Sequence, residues 1–286
     1  MKKALIAHFS QGGSTARVAS HIAQGLKQGN CSVDIHLIQS NKPVDITGYD
    51  CIGIGFPAYS FRVPFIVEQF IQSLPDLQGK PFFIFMQYGS KPGKAGTDAR
   101  KSMERKGGRE IGYSRYCGTD YYIGFIREGI LFSPDDPTTQ ALGDAEKFGK
   151  GLVAIMDGGN YTRPPYEGGA GVVFTLERVM MNRRLVNYFY RFFYRVNRKS
   201  CNQCGICVKN CPTGNILMDE KGFPRFSGNC ISCWYCELYC PKEAISTPLD
   251  WPIMTPFNNY NIRQILKDSA IGRASVKLAN GKIQRM

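Results

Sequence analysis

The chain has 286 residues, 43% of them hydrophobic, so it is long enough for two or three compact globular units. No stretch approaches the roughly 18 unbroken apolar residues of a membrane span, which predicts that no segment crosses a bilayer. A net charge of +13 could suit nucleic acid, but the basic residues form no helix-turn-helix, zinc-finger or RNA-binding signature, and this is the weakest interpretation.

A short apolar strand at 4–9 leads into a turn rich in glycine and serine, and a helical pattern follows from Thr15 to Lys27. Backbone N–H groups and hydroxyls at such a helix start converge on an anion, and the helix dipole adds to the attraction. The turn therefore predicts a phosphate site formed by Ser10, Gln11, Gly12, Gly13, Ser14 and Thr15. It matches neither the GxxxxGK[ST] loop of nucleotide hydrolases nor the GxGxxG dinucleotide fingerprint.

Strand and helix patterns then alternate as far as residue 157. We predict strands near 33–38, 51–56, 81–86 and 110–117, and helices near 64–73, 95–107 and 138–157. Strands separated by helices predict an α/β fold with a doubly wound parallel sheet. Ligands in that architecture bind at the carboxyl ends of the strands, where the strand order reverses.

Two more loops reach that edge, at 57–62 and 87–96, and both carry aromatic side chains. Read alone, these are ordinary aromatics of surface loops. Together with the phosphate turn they predict a flavin site, because tyrosine and phenylalanine can stack on an isoalloxazine ring. The candidate residues are Pro57, Ala58, Tyr59, Ser60, Phe61, Gln87, Tyr88, Gly89 and Ser90.

Glycines and paired prolines at 158–169 indicate a linker. A helix is predicted next, over 174–198, with six aromatic residues between Tyr188 and Tyr194 and nearby arginines at 183, 184, 191, 195 and 198. It could lie on anionic lipid or dock a partner. The favoured interpretation is a helix that buries its aromatics between two domains, since a helix apolar on most faces is usually buried.

Eight of the eleven cysteines repeat one pattern, C-x2-C-x2-C-x3-C-P, at 201–212 and at 230–241. This spacing is typical of bacterial proteins with two [4Fe–4S] clusters, in which the fourth cysteine of each run binds the other cluster. One cluster then takes Cys201, Cys204, Cys207 and Cys240. The other takes Cys230, Cys233, Cys236 and Cys211.

Zinc and disulfides are the competing explanations for the cysteines. A zinc ribbon has no use for the third cysteine of each run or for the repeated Cys-Pro. Disulfides need an oxidising compartment, and the start MKKALIAHFS lacks the apolar core of a signal peptide. Cys31, Cys51 and Cys117 are expected to pack as small hydrophobic residues, and His8 as a core residue.

The excess positive charge lies beside the cysteine runs. Segment 166–200 has seven basic residues against two acidic ones, and 251–286 has six against one. These flanks could steer acidic redox partners, contact anionic lipid, or offset the negative charge of cofactors and thiolates.

Residues 1 to about 160 resemble flavodoxins, whose phosphate loop reads [ST]-x-T-G-x-T. Ser10, Gly13 and Thr15 match, whereas Gly12 replaces a threonine and removes one hydroxyl. Residues 200–247 resemble bacterial two-cluster ferredoxins, with a match at every ligand position. In this order the two parts resemble the fused flavodoxin–ferredoxin proteins of anaerobes.

The resemblance implies a flavodoxin-like FMN-binding domain at 1–160 and a small α+β two-cluster ferredoxin-like domain at 199–250. The linker with its helix (161–198) and a basic extension (251–286) complete the chain, and Trp251 and Phe257 are expected to cover the cluster module or the helix. The implied cofactors are FMN and two [4Fe–4S] clusters. We expect a cytoplasmic electron carrier with acidic redox-protein partners rather than an enzyme. A reductase of quinones or nitro compounds, peripheral membrane contact and a homodimer are left open.

Overall fold

The computed structural model describes residues 1–39, 44–168, 171–268 and 275–277. The chain forms two compact units. The first comprises Met1–Thr119 and Asp135–Arg178, and the second comprises Asp120–Pro134 and Val179–Met286. The second unit is therefore assembled from two separate stretches of the chain, which the sequence pattern did not indicate.

The first unit is built on a five-stranded sheet. Its elements up to residue 117 are β1 (Lys2–His8), α1 (Ser14–Gln28), β2 (Cys31–Leu37), β3 (Cys51–Pro57), α2 (Phe65–Ser73), β4 (Pro81–Tyr88), α3 (Ala95–Arg105) and β5 (Arg109–Cys117). The strand order is β2-β1-β3-β4-β5, and every neighbouring pair is parallel. The predicted doubly wound sheet is confirmed, with its reversal of strand order between β1 and β3.

The central strands are buried on both faces, as parallel strands covered by helices usually are. In β3, Gly53 and Gly55 leave room for two rings of β4. A Cβ atom at Gly55 would lie 2.0 Å from the ring of Phe85, and one at Gly53 would lie 2.2 Å from the ring of Phe83. The two glycines of β3 are thus needed so that the phenylalanine rings of β4 can pack against this strand.

His8 is a core residue, as expected, and is 5% exposed at the end of β1. Burial lowers its pKa to about 4, and the nearby His36 adds to the effect. The ring is therefore neutral at neutral pH and only weakly basic, which fits a structural role better than that of a general base.

We predict that His8 makes the protein less stable in mild acid. The unfolded chain binds a proton on this ring near pH 6.5, whereas the folded chain does so only near pH 4. The free energy of unfolding should therefore fall by up to about 3 kcal/mol as the pH drops through this interval. Urea unfolding followed by circular dichroism should show a shallower fall for His8→Leu. Parallel curves for the two proteins would contradict the prediction.

Between β5 and the next helix of the first unit, the chain contributes α4 (Ile123–Arg127) and β6 (Ile130–Phe132) to the second unit. It then returns as α5 (Thr139–Met156), which packs along α1, and α6 (Val172–Met180). The bounds of α1, α2, α3 and α5 agree with the predicted ones to within two residues.

The predicted linker is bound to the first unit. Arg100 is 0% exposed, and its guanidinium donates to Glu110 at 2.9 Å and to the carbonyls of Pro164 and Pro165 at 2.7 and 3.2 Å. The hydroxyl of Tyr161 also donates to Glu110, at 2.6 Å. A buried guanidinium needs such acceptors, and its partners hold residues 161–165 in place.

The single helix expected over 174–198 is instead divided. After α6 come a π turn at Leu185–Phe189, a 3-10 turn at Tyr190–Phe193 and the strand β7 (Arg195–Val196). The change of helical period places Val186 and Asn187 inside and leaves three aromatics outside. Tyr188, Phe189 and Phe192 are 73%, 54% and 68% exposed, so the expectation of buried aromatics is wrong for these residues.

The remaining elements of the second unit are short. They are α7 (Ile206–Lys209), β8 (Ile216–Met218), β9 (Pro224–Phe226), α8 (Tyr235–Leu238), β10 (Ile245–Ser246), α9 (Thr255–Ile265) and β11 (Ser275–Lys277). Within the described residues, strands of the second unit pair in three two-stranded antiparallel sheets, β8 with β9, β7 with β10 and β6 with β11. Trp251 contacts Phe193 edge-on at 5.4 Å, as expected for the start of the tail. Much of the tail, at 269–274 and 278–286, lies outside the described residues.

Candidate cofactor sites

The two cysteine runs fold alike. Gln203 and Gly205 in the first run have positive φ values of 59° and 72°, and Ser232 and Trp234 have 55° and 51° at the same places in the second. Left-handed residues among right-handed ones turn backbone N–H groups toward one side, which creates a concavity for an anionic group. The short helices α7 and α8 begin directly afterwards.

Trp234 is unusual because it holds a left-handed position that glycine holds in the first run. That conformation costs a non-glycine residue about 1–2 kcal/mol. The indole ring is 9% exposed and stands edge-on to Tyr122 at 5.3 Å. Burial of this large ring offsets the strain. The segment 120–134 thus supports the second cysteine run.

The cysteines line two cavities. One is lined by Cys201, Cys204, Cys207 and Cys240. The other is lined by Cys211, Cys230, Cys233 and Cys236, and also by Cys207. Each cavity contains three cysteines of one run and the last cysteine of the other, and Cys207 lines both cavities. The motif predicts this crossed grouping for a pair of [4Fe–4S] clusters.

Among the described residues, no three His, Cys, Asp or Glu side chains are arranged to hold a single metal ion. A [4Fe–4S] cluster makes a different demand, because its four thiolates bind four separate irons.

Hydrogen-bond donors already point at three of the cysteine sulfurs. The amides of Asn215, Ser232 and Ala244 donate to the Sγ atoms of Cys211, Cys230 and Cys240, at 3.2, 3.3 and 3.2 Å respectively. The hydroxyl of Tyr194 also donates to Cys230 Sγ, at 3.5 Å. Donors of this kind stabilise thiolate charge and help to set the potential of an iron–sulfur cluster.

Burial raises the pKa of the thiols of Cys207, Cys230, Cys233 and Cys236. Buried thiolates without a counter-charge are unfavourable, and a bound cationic centre removes that penalty by deprotonating its ligands. The buried cysteines and the hydrogen bonds to their sulfurs therefore fit a bound iron–sulfur cluster.

Two asparagines position the backbone before Cys230, and sequence reasoning missed both. Asn215 Oδ1 accepts from the amides of Gly228 and Asn229 at 2.8 and 2.6 Å, and Asn187 Oδ1 accepts from the amide of Cys230 at 2.6 Å. Asparagine in a loop is too common to signal such a role by itself. Only the fold shows that these two side chains support one cysteine.

Segment 120–134 and the tail form a further small core. Phe125, Phe132 and Ile265 pack together, and the Tyr122 hydroxyl donates to Asn258 at 3.3 Å. Arg127 pairs with Glu237 of α8 at 3.4 Å. These contacts connect residues more than one hundred positions apart and hold the second cysteine run in place.

The predicted phosphate turn follows β1 and begins α1. Gly13 has φ 84° and precedes the helix, and the amide of Ala16 donates to Ser10 Oγ at 3.2 Å. Gly12 and Gly13 are exposed, Gln11 is half-buried, and Thr15 is buried. A left-handed residue at this place is natural for glycine and leaves the turn open to an approaching anion.

Gln87 at the end of β4 joins the three predicted loops. Its Oε1 accepts from the hydroxyls of Ser14 and Thr15 at 2.8 and 3.0 Å, and its carbonyl accepts from the amide of Ala58 at 2.7 Å. The side chain is 2% exposed, and its Nε2 is buried without a partner among the described residues. The orphaned amide group lies beside the hydroxyls that the phosphate site requires.

The loop that follows β3 makes a tight turn. Ser60 and Phe61 have φ of 46° and 61°, and Tyr59 and Arg62 exchange two backbone hydrogen bonds of 3.0 Å. Positive φ at both central residues defines a type I′ turn, a conformation that residues other than Gly, Asn and Asp rarely adopt. Arg178 donates to the Phe61 carbonyl at 2.9 Å and so holds the turn.

The remaining predicted residues lie at the same edge of the sheet. Tyr88, the last residue of β4, and Gly89 are half-buried and Ser90 is buried. Pro57, the last residue of β3, and Tyr59 are half-buried. Tyr59 stands edge-on to Phe9, with ring centroids 6.1 Å apart. The open phosphate turn and the orphaned amide of Gln87 fit the phosphate of a flavin, and the two half-buried tyrosines at the same edge fit its ring.

Comparison with protein families finds two matches along the chain. Residues 5–118 match the flavodoxin domain, and residues 200–245 match the 4Fe-4S dicluster domain. Both follow the order expected from the sequence. One polypeptide thus matches a flavodoxin domain and, further along, a 4Fe-4S dicluster domain.

Curated relatives match a short part of the chain. The B subunit of an anaerobic dimethyl sulfoxide reductase from Haemophilus influenzae is 42% identical over 48 residues, or 16% of this chain and 23% of that protein. The ferredoxin-like protein YdhX of Escherichia coli is 40% identical over 58 residues, or 19% of this chain and 24% of that protein. The match thus spans less than a quarter of either relative.

Among solved structures, flavodoxins align with about half of the chain. An archaeal flavodoxin aligns with 54% of this chain and 99% of its own, at 18% identity and a TM-score of 0.42. Megasphaera elsdenii flavodoxin aligns with 53% of this chain and 98% of its own, at 22% identity and a TM-score of 0.43.

Proposed function

We propose that this protein transfers electrons between one FMN in its flavodoxin unit, two [4Fe–4S] clusters in its ferredoxin unit and external redox proteins. The observation that carries the proposal is the division of eight cysteines over two cavities, with the last cysteine of each run crossing to the other cavity. The phosphate turn and Gln87 support FMN as the flavin.

FMN, when bound, would exchange electrons in pairs or singly, and each cluster would pass one. A single polypeptide raises the effective concentration of one cofactor near the other. The chain itself would bind the flavin phosphate, hold the thiolates and donate hydrogen bonds to the sulfurs. No catalytic acid, base or nucleophile is required, and we therefore favour a carrier over an enzyme with its own substrate.

Acidic redox proteins are the partners that we propose. Residues 179–200 contain six basic residues and no acidic one, and exposed aromatics lie among them. Arginine and aromatic residues are enriched in protein interfaces, and positive charge steers anionic partners. None of the described helices is long and apolar enough to cross a membrane. We propose the cytoplasm of an anaerobe as the location, since thiolates and such clusters need reducing conditions.

The exposed aromatics also favour a second candidate, a module held at an anionic membrane surface. Co-sedimentation with anionic liposomes, lost on replacing Arg183, Arg184, Arg191 and Arg195, would support it. A reductase of small acceptors is a third candidate function, and turnover of a quinone with NAD(P)H would support it. If the protein shows neither liposome binding nor quinone turnover, but exchanges electrons with ferredoxin-dependent enzymes, the carrier is supported.

Anaerobic purification tests the proposal directly. We expect about eight irons, about eight acid-labile sulfides and about one FMN per chain, because four thiolates hold each cube of four irons. Iron, sulfide and flavin would be measured in the same sample. Stoichiometric zinc with no sulfide, or a colourless protein, would refute it.

A further inference from the structure

The segment between α6 and the first cysteine run contacts Cys230 through two separate residues. Asn187 accepts a hydrogen bond from the Cys230 amide at 2.6 Å, and the Tyr194 hydroxyl donates to Cys230 Sγ at 3.5 Å. The intervening aromatics Tyr188, Phe189 and Phe192 are largely exposed. The segment is therefore anchored on one cysteine of the second cavity.

Tyr194 is held firmly in this position. Its ring stands edge-on to Phe226 at a centroid distance of 5.0 Å. The next two residues form β7, which pairs with Ile245–Ser246, and the amide of Asn197 donates to the Ala244 carbonyl at 2.7 Å. Backbone pairing and ring packing thus fix the phenol independently of its hydroxyl.

The two cavities differ in whether Tyr194 belongs to their lining. Tyr194 lines the cavity of Cys230 and is absent from the described lining of the cavity of Cys201. A nearby hydroxyl, that of Thr213, behaves differently from the phenol. It is 3.7 Å from Cys211 Sγ but donates to the Asn229 carbonyl at 2.6 Å, so its proton is directed away from the sulfur. The phenol of Tyr194 therefore distinguishes the second cavity from the first.

We propose that Tyr194 raises the reduction potential of the cluster bound by Cys211, Cys230, Cys233 and Cys236, and leaves that of the other cluster unchanged. The inference rests on the proposed binding of two clusters. A bound cluster would carry more negative charge on its sulfurs in its reduced form, and the Tyr194 hydroxyl, as a donor to Cys230 Sγ, would stabilise that form. The phenol keeps its proton, so one electron enters and no bond is broken. Tyr194 acts through Cys230 and is a positioning residue.

The test is an anaerobic titration with dithionite, in which electron paramagnetic resonance follows both clusters. In Tyr194→Phe, the reduced-to-oxidised ratio of one cluster at its wild-type midpoint should fall roughly tenfold, as expected for one hydrogen bond to a charged group. For a one-electron couple this is a shift of about 59 mV to lower potential. The other cluster should keep its potential, and iron, sulfide and FMN contents should be unchanged.

Tyr188→Phe is the matched control, because Tyr188 belongs to the same segment and is 73% exposed. It should leave both potentials at their wild-type values. Unchanged potentials in Tyr194→Phe, an equal shift of both clusters, or loss of iron would each overturn the inference, since phenylalanine preserves the ring packing. A wild-type protein without two cluster signals would instead overturn the proposed function, so the two failures are distinguishable.

Discussion

Replacement of Cys204 by serine is expected to halve the iron content of the anaerobically purified protein, from about eight to about four atoms per chain. Cys204 is exposed and lines the cavity of Cys201. A serine oxygen is a poor substitute for a thiolate, so that cavity should lose its cluster while the other keeps its own. Iron and sulfide analysis measures the effect, and FMN content should not change.

The crossed arrangement can be tested by combining substitutions. Cys204→Ser with Cys240→Ser should still leave about four irons, because both cysteines line one cavity. Cys204→Ser with Cys211→Ser should leave almost none, because Cys211 lines the other cavity. The reverse result would show that each run binds its own cluster with all four cysteines and would refute the crossed assignment.

Cys117→Ser provides a matched control. Cys117 ends β5 in the first unit, is half-buried and lies outside both runs. This variant should retain about eight irons, so a loss would indicate general damage rather than loss of a ligand. Circular dichroism of every variant shows whether the parallel sheet persists.

Thr15→Val is expected to weaken FMN binding by about ten- to a hundred-fold, with little effect on riboflavin. Thr15 is 1% exposed at the start of α1, and its hydroxyl donates to Gln87 Oε1 at 3.0 Å. A bound phosphate would offer the same proton a charged and therefore stronger acceptor. Valine keeps the shape and removes the hydroxyl. A hydrogen bond to a charged group contributes about 1.5–3 kcal/mol, which sets this range. Fluorescence titration of the flavin-free protein measures both dissociation constants.

Riboflavin separates the phosphate from the ring because it carries the same isoalloxazine without the phosphate. Ser20→Ala on the exposed side of α1 is the control and should alter neither constant. Equal weakening of FMN and riboflavin by Thr15→Val would contradict a phosphate contact. Such a result would indicate a general change in the loop.

Local patterns predict much of the candidate site. The phosphate turn, the loops after β3 and β4 and the eight cysteines are all recognisable from neighbouring residues. The link through Gln87 is not, although the residue itself is a candidate, because its partners lie more than seventy positions earlier in the chain. The helix expected over 174–198 is divided because Asn187 and Tyr194 bind around Cys230, and these contacts impose π and 3-10 turns.

The sequence alone determined the parallel sheet and the order of the two parts, and it predicts how the cysteines are grouped. Strand periodicity and C-x2-C-x2-C-x3-C-P spacing act over a few residues, and local geometry determines what they form. Only the tertiary structure revealed that 120–134 joins the second unit, that Arg100 binds the prolines of the expected linker, and that Tyr194 reaches Cys230. These are contacts between distant parts of the chain, and one side chain gives no local signal of the partner that it will meet.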